Sequence, residues 1–132
     1  MKRFISVFAI FLFSINVYSE DTRAIDSAMR WLSVIDSGEY AKSWDHAAPF
    51  FKEQLSSDQW VDALNQVRKP LGKAKLRALN SATPHSSLPN ALDGEYMVIT
   101  LVTDFDNKPT SIETVTFVKY ELEWRAVGYF IK

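Results

Sequence analysis

The sequence predicts an α+β domain in which about three N-terminal helices pack on a curved antiparallel sheet of four strands. Up to about residue 70, apolar residues recur at three- and four-residue steps, which is the pattern of amphipathic helices. Beyond that point, alternating or β-branched segments separated by turn residues indicate strands. Helices that precede an antiparallel meander pack on one of its faces. The chain has 132 residues, 47% of them apolar, which is enough for one domain of this kind.

A secretory signal peptide is predicted for residues 1–19. Two basic residues precede the apolar run 4–17, and Val17 and Ser19 provide the side chains that suit a cleavage site. The alternative, an uncleaved transmembrane anchor, is disfavoured because the run is short and ends in polar residues. No cysteine is present to carry a lipid at the junction. We therefore expect cleavage after Ser19, a periplasmic or secreted single domain over residues 20–132, and no stable membrane anchor.

The composition excludes several classes of site and partner. Removal of residues 1–19 takes away two of the 15 basic residues and none of the 16 acidic ones, so the remaining domain has a net charge of −3. A mildly acidic surface disfavours nucleic acid and anionic lipid as partners. The absence of cysteine excludes disulfides and thiolate metal sites, and a periplasmic protein does not require a disulfide.

The first helix is predicted from a stripe of apolar residues. Asp21 or Thr22 can cap its start, because a short side-chain oxygen accepts a hydrogen bond from a free backbone N–H. Gly38 ends the helix, since glycine enters the left-handed conformation without strain. The stripe consists of Ile25, Ala28, Met29, Leu32 and Ile35.

Two further helices are predicted to follow. The second spans residues 39–48, and Pro49 stops or bends it because proline disfavours helical geometry in the residue before it. The third begins at the capping box of residues 56–59 and ends at Pro70. The side chains expected to face the core are Tyr40, Trp44 and Ala47 in the second helix and Trp60, Leu64 and Val67 in the third.

Four strands are predicted in the second half of the chain. Residues 73–79 alternate between basic and apolar side chains, as in a strand with one buried face. Residues 81–94 are rich in serine, proline and asparagine and are predicted to form a long loop. Residues 95–105 and 112–120 are rich in β-branched and aromatic side chains and are predicted to form a hairpin. Residues 124–131 are predicted to form the last strand.

The first predicted strand has a basic face and an apolar face. The two faces carry Lys73, Lys75 and Arg77 on one side and Ala74, Leu76 and Ala78 on the other. The lysines are interpreted as the polar face of an edge strand, where they prevent pairing with another sheet. A small anion-binding strip is the alternative interpretation.

Glu113 lies within an otherwise apolar strand, on the same face as Val115 and Phe117. A carboxylate at this position is either solvated or buried with a partner, because an unpaired buried charge is costly. Arg77 and Arg125 are the candidate partners. A structural ion pair is the first interpretation, and an acid in a pocket is the second.

The sequence contains no motif of a catalytic or metal site. His46 and His85 are 39 residues apart, and the carboxylates around them do not have metal-ligand spacing. The four glycines are scattered, so no phosphate-binding loop is predicted, and no serine lies in a nucleophile elbow. We therefore expect no cofactor, no metal and no catalytic residue.

The tryptophans and tyrosines are interpreted mainly as core residues, because each buries a large apolar area. Trp44 and Trp60 fall on the apolar stripes of their helices, which favours the core. Trp31 lies off the stripe of the first helix and could border a pocket or a partner surface instead.

Five short segments stand out in combination: residues 28–40, 43–44, 60–72 followed by Arg77, 113–116 and 124–131. Together they resemble the bacterial domain-of-unknown-function family 4019, over roughly residues 24–131. The resemblance implies an exported bacterial protein with no established activity. It also implies a short relative of the cystatin-like or nuclear transport factor two-like cone fold, in which a pocket often lies between sheet and helices. Fold analogy alone does not transfer a function.

The favoured function is a non-catalytic binding or interaction module in the periplasm, with a protein or a small molecule as its partner. The residues expected to reach a pocket are Arg77, Tyr96, Glu113 and Arg125. The alternative is a small isomerase- or hydrolase-type enzyme that uses a pocket between sheet and helices, with Glu113 or Asp104 as its acid–base group. A third hypothesis is a module that pairs one of its edge strands with a partner chain.

Overall fold

Residues 19–132, which the computed structural model describes, form four helices and one antiparallel sheet of four strands. The elements are α1 (Glu20–Asp36), α2 (Tyr40–Asp45), α3 (Pro49–Gln54), α4 (Ser57–Leu71), β1 (Ala74–His85), β2 (Tyr96–Phe105), β3 (Lys108–Tyr120) and β4 (Glu123–Ile131). The strands lie in the order β1-β2-β3-β4, so each pairs with its neighbour in the chain. The predicted α+β class, with helices before strands, is confirmed. The predicted signal peptide lies outside the described residues except for Ser19.

Helix α1 begins earlier than the sequence predicts. Ser19 is its N-cap, and its Oγ accepts a hydrogen bond from the backbone N–H of Thr22 at 3.2 Å. The predicted caps Asp21 and Thr22 are therefore wrong, because both lie inside the first turn. Gly38 follows the helix with a φ of 82°, in the left-handed region that was predicted for it.

The second predicted helix is two helices in the structure. The predicted helix over residues 39–48 ends at Asp45, and Pro49 begins α3 instead of only stopping α2. Proline suits a first helical position, because its missing N–H has no partner there and its φ is already helical. The backbone N–H of Ala48, just before α3, donates to the carbonyl of Ala126 in β4 at 2.9 Å. This bond ties the link between α2 and α3 to the sheet.

Helix α4 has the predicted capping box but a different inner face. The backbone N–H of Gln59 donates to Ser56 Oγ at 3.2 Å, and that of Ser56 donates to Gln59 Oε1 at 2.9 Å. The buried residues Trp60, Leu64 and Arg68 are four positions apart. Because a helical turn has about 3.6 residues, the buried stripe turns gradually around the helix and reaches Arg68 instead of Val67. Val67, which was predicted to face the core, is 45% exposed, so that prediction is wrong.

Strand β1 is longer than predicted and its faces are exchanged. It continues to His85, through part of the predicted loop over residues 81–94. Its pairing with β2 shifts in register at two places, between Ala74 and Leu76 and again before Ser81. A bulge of this kind inserts one residue and moves the following side chains to the opposite face. Arg77 consequently points inward and Leu76 is 70% exposed, which reverses the predicted faces.

The core lies between the helices and one face of the sheet, around a group of aromatic rings. Trp31 stacks on Trp60 with centroids 6.0 Å apart and meets Phe117 edge-on at 5.9 Å. Both indoles donate to Ser43, Trp31 to its carbonyl and Trp60 to its Oγ, each at 2.8 Å. Trp31 is therefore a core residue although it lies off the predicted stripe. Trp44, which was predicted to be in the core, is only half-buried.

Among residues 19–132, no helix combines the length and the apolar character that crossing a bilayer requires.

Replacement of Trp60 by alanine is expected to lower the free energy of unfolding by about 3–5 kcal/mol, because it empties the centre of the core. Urea denaturation followed by circular dichroism measures the change. Leu92→Ala is the matched control, since this leucine is 78% exposed, and it is expected to change the same quantity by less than about 0.5 kcal/mol. An equally small change for Trp60→Ala would contradict the core described above.

Candidate functional site

A group of charged and polar side chains lies on the inner face of the sheet, beneath the end of α1. Its members are joined by hydrogen bonds from one element to the next, and we call them the buried polar cluster. They are Asp36 in α1, Arg68 in α4, Arg77 in β1, Thr103 in β2, Glu113 in β3 and Tyr129 in β4.

Glu113 is the centre of the buried polar cluster and is fully buried. Arg77 donates to it twice, from Nε to Oε1 at 2.7 Å and from Nη2 to Oε2 at 3.3 Å. Thr103 Oγ1 donates to Oε1 at 2.5 Å, and the hydroxyl of Tyr129 donates to Oε2. Four hydrogen bonds compensate the loss of hydration that a buried carboxylate suffers.

Strand register brings these donors around the carboxylate. Arg77 pairs with Thr103 across β1 and β2, so the two side chains stand side by side once the bulge has turned Arg77 inward. Glu113 lies on the same face of β3 as the buried Ser111 and Val115. Tyr129 pairs with Val115, one residue pair further along the same face.

Asp36 connects the cluster to the helices. Its carboxylate accepts from Arg77 Nη1 at 2.7 Å and Nη2 at 3.0 Å, and from Arg68 Nη2 at 2.8 Å. Asp36 is the last residue of α1, where a negative charge interacts unfavourably with the helix dipole. The two guanidinium groups outweigh that effect.

The cluster also perturbs the ionisation of its members. Burial opposes ionisation of Asp36, but the hydrogen bonds and charges of Arg77 and Arg68 outweigh burial and hold its pKa below the usual range. Burial, together with the negative charge of Glu113, raises the pKa of Tyr129 well above its usual range. Burial alone would lower the pKa of Arg77, yet its two carboxylate partners raise it. At neutral pH, Tyr129 thus keeps the proton that it donates.

The carboxylate at the centre of the cluster is enclosed by its hydrogen-bond partners. A general acid or base must reach a substrate, whereas Glu113 has no exposed surface and four donors. Asp104, the other predicted acid–base candidate, accepts the backbone N–H of Thr110 at 2.7 Å. The first interpretation of Glu113, a structural ion pair, is confirmed, and its partner is Arg77 and not Arg125.

Arg68 is buried, but only one of its guanidinium nitrogens has a hydrogen-bond partner among the described residues. Its guanidinium lies 5.0 Å from the centre of the Phe105 ring and gives one hydrogen bond, to Asp36. Its Nε and Nη1 atoms are buried and have no hydrogen-bond partner in the part of the chain that the structure describes.

An open cleft of about 760 Å³ lies on the other side of α1, between α1, α2 and the β3–β4 turn. Three buried aromatic residues are among those that line it, and we call Trp31, Phe117 and Trp124 the aromatic floor. Four cationic side chains stand around it, and we call Arg23, Arg30, Lys42 and Arg125 the cationic rim. Three acidic side chains, Asp26, Asp45 and Glu123, also line the cleft, and so does His46.

The cations of the rim differ in how they are paired. Arg125 Nη2 lies 3.0 Å from a carboxylate oxygen of Glu123, and Lys42 Nζ lies 3.9 Å from Glu39. Arg23 and Arg30 form no ion pair with any residue from 19 to 132. Arg30 donates one hydrogen bond within the helix, to Ser27 Oγ at 3.2 Å.

A second cleft of about 360 Å³ contains Tyr96. The Tyr96 hydroxyl donates to the carbonyl of Leu92 at 2.5 Å, which fixes the ring against the loop before β2. Trp124 lines both clefts, and its indole donates to Glu20 at 3.1 Å. His85 lies at this second cleft and His46 at the first, and residues 19–132 contain no group of three metal-ligating side chains.

The four predicted pocket residues are thus divided among three places. Arg77 and Glu113 are together in the buried polar cluster, Arg125 is on the cationic rim, and Tyr96 is at the second cleft. That these residues bind a ligand stays a prediction.

Sequence reasoning missed two members of the cluster that carry a recognisable signal. Asp36 is an acid in the last turn of a helix, where the helix dipole favours cations. An acid at this position therefore indicates that a cationic partner lies nearby. Arg68 continues the four-residue steps of Trp60 and Leu64 along an apolar stripe. The cations of α1 and α2 carry no such signal, because each is an ordinary charge on a helix surface until the fold brings them together.

Comparison with known proteins gives a family but no characterised relative. A family model described as "Protein of unknown function (DUF4019)" matches residues 27–129. No curated protein and no solved structure matches the chain. The matched range contains the whole buried polar cluster, and it contains the residues that line the larger cleft except Arg23 and Asp26.

Replacement of Glu113 by glutamine is expected to lower the free energy of unfolding by about 1–3 kcal/mol, because it removes the charged acceptor of two hydrogen bonds from the buried Arg77, which then has Asp36 as its remaining carboxylate partner. The matched control is Glu123→Gln, which removes the 72% exposed partner of Arg125 and is expected to cost less than about 1 kcal/mol. Urea denaturation at neutral pH measures both. Equal stability of Glu113→Gln and the unchanged protein would show that the ion pair contributes nothing.

Proposed function

This chain belongs to the DUF4019 family of proteins of unknown function, and we propose that it is a non-catalytic binding domain of the bacterial periplasm. Its binding site is the cleft between α1, α2 and the β3–β4 turn. Its ligand is a small molecule with an apolar body.

One observation carries the proposal, namely a cleft of about 760 Å³ whose lining combines the aromatic floor with the 86% exposed Leu122. Small-molecule sites are concave and mostly apolar, with volumes of about 300–1,000 Å³ and a few polar groups around them. The floor is also held in place. Trp31 stacks on Trp60, meets Phe117 edge-on, and is hydrogen-bonded to Ser43. A rigid floor loses little freedom when a ligand lies on it.

The absence of a desolvated acid or base at the cleft supports a non-catalytic role. The three carboxylates that line the cleft, Asp26, Asp45 and Glu123, are exposed to solvent, as is His46. A carboxylate acts as a general acid near neutral pH when burial raises its pKa. Glu113 is a fully buried carboxylate, but it lies in the buried polar cluster and does not line the cleft.

The edges of the sheet favour a small ligand over a strand from a partner chain. The carbonyl of Ala126 on the β4 edge already accepts a hydrogen bond from Ala48 at 2.9 Å. The β1 edge has two register shifts and begins beside the exposed Lys73 and Lys75. Bulges and lysines both hinder the addition of a strand.

Export is supported by the signal pattern of residues 1–19. Cleavage after Ser19 leaves residues 20–132. The layer of helices on an open sheet also supports the comparison with the nuclear transport factor two-like cone, whose pocket lies between the same two layers.

The neutral dye N-phenyl-naphthylamine is expected to bind in the cleft, and Leu122→Ser is expected to weaken binding by about 3- to 10-fold. Leu122 is an 86% exposed leucine at the cleft, and an apolar ligand would cover part of it. The matched control is Leu92→Ser, an exposed leucine away from both clefts, which is expected to leave the affinity unchanged. Fluorescence titration measures the affinity. Absence of dye binding to the unchanged protein would refute the cleft as a site for apolar ligands.

The full chain, expressed in a bacterium with an outer membrane, is expected in the periplasmic fraction as residues 20–132. Intact mass and N-terminal sequencing measure the product, which should begin with Glu20 and Asp21. Ser19→Leu is expected to leave the precursor uncut, since a small residue is needed at the cleavage site, while Ser19→Ala is expected to be processed. Recovery of the uncut chain from the cytoplasm would contradict export.

A further inference from the structure

We propose that the ligand of the cleft is a small organic anion, and that Arg23 and Arg30 of α1 bind its anionic group while its apolar body lies in the cleft against Leu122. The inference rests on the proposed function and adds the chemical class of the ligand.

The charge around the cleft differs from that of the domain. Residues 20–132 carry a net charge of −3, yet the cleft has four cationic side chains against three acidic ones. Arg125 is paired with Glu123 and Lys42 with Glu39, so Arg23 and Arg30 face Asp26 and Asp45. The cleft is therefore less acidic than the rest of the domain, which lowers the repulsion that an anion meets there.

Arg23 and Arg30 are the cations that remain available to a ligand. They form no ion pair with residues 19–132, although Asp26 lies between them on the same helix. Arg23 and Arg30 are seven positions apart in α1, which is about two helical turns. Their side chains therefore project from one face of the helix, with an axial separation of about 10 Å. Ser27 lies between them on that face.

The chemistry of arginine selects the kind of group. A guanidinium is planar and offers five N–H donors, and it matches two oxygens of a carboxylate, sulfonate or phosphate. Arg30 uses one hydrogen bond, to Ser27 Oγ at 3.2 Å, which orients the side chain and leaves other donors for a ligand.

The apolar surface of the cleft explains why a bare inorganic ion is not the best fit. Leu122 lines the cleft and is 86% exposed. An inorganic ion at the arginines would leave this side chain in contact with water. An organic anion covers the leucine and pairs with the arginines together.

Two dyes with the same aromatic skeleton separate the two parts of this recognition. Anilinonaphthalene sulfonate carries an anionic group, and N-phenyl-naphthylamine is the same skeleton without it. We expect the processed domain to bind the sulfonate about 10-fold more tightly, and Arg23→Gln with Arg30→Gln to weaken the sulfonate about 10-fold and the neutral dye less than twofold. Added salt is expected to weaken the sulfonate alone.

The control is Lys73→Gln with Lys75→Gln, which removes the same charge from the exposed start of β1, away from the cleft. We expect it to change neither affinity by more than twofold. Thermal unfolding of each variant confirms that the fold is retained.

The possible results keep the two proposals apart. Equal affinities for the two dyes, or a double arginine variant that weakens neither, would overturn the inference and leave the proposed function standing. An equal loss in the lysine control would also overturn it, because net charge and not the two arginines would then govern binding. Failure of both dyes to bind the unchanged protein would refute the proposed function and the inference together.

Discussion

The guanidinium of Arg77 holds the two layers of this protein together. It lies between Asp36 at the end of α1 and Glu113 in the middle of the sheet, at 2.7 Å from each. Both carboxylates need a cation, since a buried charge without one is strongly destabilising. A slip of one residue in β1 would turn Arg77 to the outer face, which would leave Glu113 without a cation and Asp36 with Arg68 alone. The bulges of β1, the end of α1 and the register of the sheet therefore depend on one another.

Much of this fold follows from signals that lie a few residues apart in the sequence. The capping box at Ser56 and the left-handed Gly38 are local signals, and the structure has both. Of the predicted stripe of α1, Leu32 and Ile35 are buried, whereas Met29 is 37% exposed and its prediction as an inward residue is wrong. The faces of β1 could not be predicted, because a bulge is set by pairing with β2 and leaves no mark in the alternation itself. The choice of Arg77 over Arg125 as partner of Glu113 depends on that bulge. The larger cleft was missed for a related reason, since its cations come from separate elements and each is unremarkable alone.

The buried polar cluster and the larger cleft lie along the same inner face of β3. Glu113 is enclosed by donors from three other strands, and Phe117, four residues on and itself buried, is among the residues that line the cleft. The buried polar cluster fixes the sheet against α1, and α1 in turn supplies the wall of the cleft. A well-fixed wall and floor are what a binding site needs in order to be ready before its ligand arrives.

The stacked pair of tryptophans gives the protein an optical property of its own. The indole rings of Trp31 and Trp60 lie 6.0 Å apart and only 23° from parallel, inside a core that excludes water. Neighbouring chromophores at this distance couple electronically, so their ultraviolet absorption and circular dichroism belong to the pair. One ring of the pair borders the cleft. The chain thus contains a built-in chromophore whose spectrum senses what lies against it, without any attached label.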